Sequence, residues 1–193
     1  ARRDLAVVVV DPGSYEIKGG FSSEDQPCVV IGTDIVLAAA ASSSSALFTI
    51  GSSQATWAHV IATLLTALGV CHDAVSVCIV LKPFYEMRPR MIRPVPIKLL
   101  HKIAAACLTE CQVQRVTFRW GPESVVHAHS ERNMGLVLEV GAHFSFCVPV
   151  SCRRDNNSII ARACISSPSE LPSIYRAADF QMSSIGVHHM SDN

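Results

Sequence analysis

A mixed α/β fold is what the sequence predicts, and three observations carry it. Twice, in residues 5–21 and again in 135–150, a short unbroken apolar run meets a glycine-containing turn and is followed by apolar residues at a period of two. That is the signature of a buried strand returning as a hairpin. Between the hairpins, Trp57, Val60, Ile61, Leu64, Leu65 and Leu68 recur at spacings of three and four, the stripe of a helix buried on one side. Strand-like and helix-like segments alternate through this middle stretch, as they do in a layered α/β domain.

Taken in order, residues 5–10 form a buried strand ended by the turn residues Asp11, Pro12, Gly13 and Ser14. Tyr15, Ile17, Gly19 and Phe21 then alternate with Glu16, Lys18 and Gly20, which folds a second strand back on the first. Residues 27–31 read as a third strand, the Ala/Ser-rich residues 38–45 as a loop, and residues 46–50 as a further short strand. The helix beginning near Trp57 has Ser53 available as its cap and Gly69 as its stop. A buried strand over Val75–Leu81 follows, then a proline-broken segment over 83–96, then a second helix carrying Ile97, Leu100, Ala104, Cys107, Leu108 and Cys111. Val116, Phe118 and Trp120 alternate as a strand, and residues 122–130 make a short helix or turn. In the second hairpin, residues 135–140 run to Gly141, and Phe144, Phe146, Val148 and Val150 return. Residues 159–165 supply its third strand, and the remainder is irregular apart from a short helix near 171–180.

Composition narrows the class. The 193 residues are 49% hydrophobic and 17% charged, against about 25% charged in ordinary soluble domains. A mean hydropathy of +0.32 over so few charges predicts a surface that works covered by other protein. The apolar content excludes a disordered chain, and a net charge of zero does not support a general polyanion binder. Serines 42–45 and the Gly51–Gln54 stretch break the longest uncharged segment into pieces too short to span a bilayer, and residues 5–10 are too short for a signal-peptide core. No membrane partner is expected.

Eight cysteines contain no Cys-x-x-Cys pair and lie mostly in apolar runs, so they are expected to be reduced and packed as small hydrophobes. His127 and His129 are two apart and His188 and His189 adjacent, neither of which is a zinc-helix spacing, and no metal is assigned.

A strand ending in Asp-x-Gly-Ser and returning with a lysine is suited to clamping phosphate, since a tight turn aims backbone N–H groups at one point. The acid can help hold a hydrated metal ion. Alone, Asp11-Pro12-Gly13-Ser14 is also an ordinary turn sequence. Its surroundings add specificity. Residues 8–21, Val-Val-Val-Asp-Pro-Gly-Ser-Tyr-Glu-Ile-Lys-Gly-Gly-Phe, resemble the opening segment of actin and the actin-related proteins. Residues 135–141, Gly-Leu-Val-Leu-Glu-Val-Gly, continuing to Val148-Pro149-Val150, resemble the second phosphate hairpin of that family. The helix beginning at Trp57 and the strand Val75–Leu81 fall where the family has theirs.

The resemblance implies an actin-like (ribonuclease H-like) α/β fold comprising one lobe plus the first hairpin of the second lobe. It divides the chain into an outer lobe over 1–134, with a shortened insertion about 32–54, and a partial second lobe with an irregular tail over 135–193. About half of a conventional actin is covered, without the family's adenosine-binding segments. The nucleotide-site residues it leaves are Asp11, Gly13, Ser14, Lys18, Glu139 and Gly141, vestigial by this account. Departures cluster on the chemistry. Pro12 has no N–H to offer phosphate, and Tyr15 replaces a glycine. Where the family has acid, small residue, Gly, Asp, Gly, this chain has Glu139, Val140, Gly141, Ala142 and His143. The family's water-orienting glutamine falls near Pro122 or Glu123. No catalytic residue and no resident cofactor are therefore expected, the alternative being ATP or ADP with magnesium. His143 lacks an orienting acid in the sequence and is not assigned as a base.

Eight of the sixteen basic residues lie in residues 82–119 against only Glu86 and Glu110, so this segment is strongly positive and the rest equally negative. Lys82, Arg88, Arg90, Arg93, Lys98 and Lys102 are candidates for contact with an acidic partner surface, with Phe84 and Tyr85 as possible anchors. The segment contains no recognised nucleic-acid-reading motif. The function expected is that of a non-catalytic structural subunit or adaptor, obligately built into a large assembly of other protein subunits. Cytoskeletal, axonemal and dynactin-like assemblies imply cytoplasm, cytoskeleton or cilium. The alternatives are a nucleotide-binding ATPase or switch and a nuclear subunit of a chromatin-remodelling complex.

Overall fold

The computed structural model of the protein describes residues 5–40, 47, 52–82, 84–86, 91–93, 95–129, 134–140, 144–151 and 165–168. Its main layer is a mixed five-stranded sheet in the order β3-β2-β1-β4-β7. β1 (Ala6–Pro12), β2 (Glu16–Phe21) and β3 (Val29–Gly32) form an antiparallel meander, while β4 (Val75–Leu81) lies parallel to β1 and β7 (Arg115–Trp120) parallel to β4. Four helices are present among the described residues: α1 (Thr33–Ala39), α2 (Gln54–Ala67), α3 (Ile97–Ala105) and α4 (Gly121–His129).

The helical stripe does what its spacing predicts. Trp57, Val60, Ile61, Leu64 and Leu65 of α2 are fully buried against Val8, Val10, Ile17, Val77 and Ile79 of the sheet. Ser53 caps the helix, its hydroxyl accepting from the Thr56 N–H at 3.0 Å. Gly69, at φ +67°, takes the left-handed conformation that ends it. β4 has the expected limits.

Other elements depart from expectation. The third strand starts at Val29 rather than residue 27, and Pro27, lacking an N–H, cannot donate to the ladder. Residues 38 and 39, expected in a loop, close α1 instead. Its start at Thr33-Asp34 puts an acid in the first turn, and Thr33, Val36 and Leu37 are buried, so tertiary packing makes a helix of a short weak segment. The proline-broken segment contains a two-stranded ribbon, β5 (Phe84–Glu86) with β6 (Met91–Arg93). α3 widens at its end into a π turn over Ala106–Glu110, closed by Cys111 N–H donating to the Ala106 carbonyl, and keeps Cys107 and Cys111 buried on one side. The strand expected over 46–50 and the helix expected near 171–180 lie outside the described residues, Leu47 excepted.

The second hairpin, β8 (Met134–Val140) with β9 (Phe144–Ser151), belongs to a separate three-stranded sheet in the order β10-β9-β8. Its third strand, β10 (Ile165–Pro168), pairs antiparallel to β9 as expected but begins where the expected strand ended; residues 159–164 lie outside the described set. α4 runs directly on from β7 and packs under this sheet, where Val126, Val137, Val148 and Val150 form a small second core with Trp120 against it. Among the described residues no helix is long and apolar enough to cross a membrane.

Gly19 marks the tightest contact between hairpin and helix. A Cβ added there would stand 2.5 Å from Leu64 Cδ2 and 2.8 Å from its Cγ, and Leu64 is fully buried with nowhere to move. Gly19→Ala is expected to destabilise the chain by about 1–3 kcal/mol, measured as a lower denaturation midpoint with an unchanged denaturant slope. A second measurement concerns the thiols. Burial, with Cys111 nearby, pushes the Cys107 thiol up to about 12, while Cys28 and Cys71 are exposed and a hydrogen bond and the charge of Asp73 raise the Cys71 value. Among the described cysteines, maleimide at pH 8 should therefore modify Cys28 before Cys71, and reach Cys107 only after denaturant is added, as read by peptide mapping.

Candidate functional site: a lysine between two carboxylates

The site forms where the strands β1 and β4 end. In their parallel register Val10 lies beside Ile79. Val8, Val10 and Pro12 point into the helix-covered core, so Asp11 falls on the opposite face. Lys82, the first residue past β4, is in phase with Val80 and so shares that face. Glu139 comes from β8, in phase with the buried Val137. The Lys82 ammonium stands 3.0 Å from Asp11 Oδ1 and 2.9 Å from Glu139 Oε1, joining a carboxylate of each sheet.

All three side chains are partly buried, Lys82 at 23% exposure being the most so. Asp11 Oδ1 is itself shielded from solvent and has no donor aligned on it, so Lys82 holds it by charge rather than by a well-directed hydrogen bond. Burial opposes the ammonium charge, but the fields of Asp11 and Glu139 outweigh it and the Lys82 pKa is raised above the ordinary lysine value.

The turn beside this bridge is fastened internally. Gly13 N–H donates to the Glu16 carbonyl at 2.9 Å, and a Cβ on Gly13 would stand 2.5 Å from that oxygen, so only glycine fits. The buried Thr33 donates its hydroxyl to the Gly13 carbonyl at 2.8 Å and its N–H to the Tyr15 carbonyl at 2.9 Å, pinning the turn to the start of α1. Pro12 offers no N–H and that of Gly13 is committed, so two positions that could face an anion are removed.

Of the expected site residues, Asp11, Gly13 and Glu139 converge here. Lys18 stands opposite Asp11 in the β1–β2 register, yet its ammonium lies 3.8 Å from Glu16 Oε2 on the exposed side. Ser14 is exposed at the turn, and Gly141 lies outside the described residues. Of the basic cluster, Lys82 is the one inside the site. Lys102 donates to the Ser52 carbonyl at 3.0 Å, Lys98 is exposed on α3, Arg93 lies in β6, and Arg88 and Arg90 are outside the described residues. Sequence reasoning missed Lys82 as a partner of the acids and Thr33 as the pin of the turn. The usable signal for Lys82 was its place one residue beyond a strand parallel to β1.

Magnesium with a nucleotide does not fit this arrangement, because the space between the two carboxylates is held by an ammonium. Among the described residues there is also no group of three or more His, Cys, Asp or Glu side chains placed to hold a metal ion. No protein-family model matches the chain, and comparison with curated proteins finds no match.

Exposed ion pairs are worth roughly 0–1 kcal/mol, whereas breaking a buried one costs about 3–5 kcal/mol. A bridge of this intermediate burial predicts a loss of about 1–3 kcal/mol for Lys82→Met, read in chemical denaturation. Because the folded pKa of Lys82 is raised, its contribution is fully present below the ordinary lysine value of about 10.4 and is lost as pH rises through the higher folded value. The stability gap between the wild-type chain and Lys82→Met should thus be flat from pH 7 to 9 and close only in strong alkali.

Proposed function

We propose that the chain is a non-catalytic, actin-like structural subunit or adaptor of a large protein assembly of the cytoskeletal, axonemal or dynactin-like kind, working in the cytoplasm, cytoskeleton or cilium. The observation that carries this reading is the Lys82 bridge, which spends the two hairpin carboxylates on a side chain instead of on a cation and its phosphates. Two carboxylates against one ammonium leave a negative charge in excess, which repels a polyphosphate, whereas a divalent cation would have balanced them. The fastened turn adds to this by withdrawing the Gly13 N–H beside a proline.

The architecture supports the actin-like part. A mixed sheet with three antiparallel strands followed by two parallel ones, then a second hairpin whose acid returns to the first, is the arrangement that the resemblance of the two hairpins calls for. The surface supports the subunit part. Leu136 and Leu138 are 70% and 69% exposed on β8, an edge strand among the described strands, and two exposed leucines on one face of such a strand suit burial against another chain.

Steady-state phosphate release from ATP in the presence of magnesium tests the non-catalytic reading. The expected result is release no faster than the protein-free blank, unaltered by Asp11→Ala. Sustained turnover that Asp11→Ala abolishes would overturn it.

A further inference from the structure

We propose that Lys82 is a tethered substitute for a divalent cation: its ammonium closes the junction between the two sheets, and its removal uncovers a site for a hydrated ion of the magnesium or manganese class. The geometry supplies the argument. One nitrogen lies within 3.0 Å of oxygens from two carboxylates that belong to different sheets and are 128 positions apart in the chain. Two carboxylates brought so close repel unless a positive charge stands between them. Oxygen ligands of this kind also suit hard divalent cations, which keep part of their water shell and take one or two protein carboxylates directly or through that water.

The lysine differs from a metal ion in being fixed to the fold. Its main chain leaves β4 immediately before Pro83, and Val80 and Leu81 are held in the parallel ladder with β7, so the ammonium is delivered from a rigid support. A soluble ion is available only at its ambient concentration and leaves when chelated, whereas the lysine is always present. The junction between β1 and β8 therefore closes without metal and without a ligand carrying one. Asp11 Oδ1, shielded and with no donor aligned on it, is the oxygen whose satisfaction depends most on this charge.

The inference rests on the two hairpins being an altered cation clamp, but it fails separately from the structural-subunit reading. Absence of ATP turnover says nothing about metal binding by a lysine variant, and metal binding by that variant does not create turnover in the wild-type chain. The test titrates manganese chloride into wild-type protein, Lys82→Met and the double variant Lys82→Met/Glu139→Gln, following free hexaaqua manganese by electron paramagnetic resonance. The wild-type chain is expected to bind none at this site. Lys82→Met should take up about one ion per chain and gain thermal stability from it, and the double variant should lose both effects. Uptake by the wild-type chain that Glu139→Gln abolishes, or a folded Lys82→Met that binds nothing, overturns the proposal.

If Lys82→Met does not fold, lysine acetylation of the native wild-type chain decides instead. Lys82 should be modified at least tenfold more slowly than the exposed Lys98, and Glu139→Gln should narrow that gap. Equal modification of Lys82 and Lys98 overturns the bridge itself.

Discussion

Everything at the candidate site depends on β1 being paired on both sides, antiparallel to β2 and parallel to β4. Fully buried Val8 and Val10 fix its face against α2, and with a side-chain period of two that choice sends Asp11 to the other face. The parallel partner fixes the rest. Because β1 and β4 run in the same direction, they end at the same edge, and the residue that follows β4 emerges beside the one that ends β1. A one-residue slip of either strand would turn Asp11 or Lys82 into the apolar core. The burial of the valines thus positions a charge pair that their own chemistry never touches.

The second sheet has a core of its own. Among the described residues its core is four buried valines with Trp120 packed on one side. Besides that contact of Trp120, which belongs to β7, two further links among the described residues join it to the larger layer. α4 begins where β7 ends, with Gly121 allowing close approach to the Leu81 carbonyl, and Lys82, one residue past Leu81, reaches Glu139. Both links leave from the same end of the β4–β7 pair. The ion pair of Lys82 with Glu139 thus ties the smaller sheet to the same end of the larger one from which α4 departs.

Much of the fold was legible because periodicity reports burial directly. The α2 stripe, its Ser53 cap, the Gly69 stop and the limits of β4 follow from side chains that must all face one way. What sequence did not disclose are the features decided by distant contacts. α1 is seven residues long with no capping side chain, so it exists through packing against α2 and the sheet. The pairing of Ile165 with Cys147 and of Pro168 with Phe144 is likewise a matter of register with β9 that no local pattern announces. At the site, Asp11 and Glu139 were found by their motifs, whereas Lys82 stood among other basic residues and looked like one more surface charge. Only the parallel register separates it from them. Thr33 was hidden for a similar reason, since its role is to satisfy a carbonyl twenty residues away.

The remaining charges explain why the two sheets present different outer strands. β7 closes one edge of the five-stranded sheet, and its outward positions are Arg115, Thr117 and Arg119, all exposed. Arginines on an edge oppose pairing with another chain, because the approaching strand would have to desolvate them. β8, at the edge of the smaller sheet, carries Leu136 and Leu138 at its outward positions with Val137 between them, and its single charge, Glu139, is in phase with the buried Val137 and turns inward to Lys82. The strand period that brings Glu139 to Lys82 thus leaves the outward face of β8 without a charge. An added strand would therefore meet arginines at β7 but apolar side chains at β8, and at β3, the other edge of the larger sheet, the half-exposed Val30 and no charge.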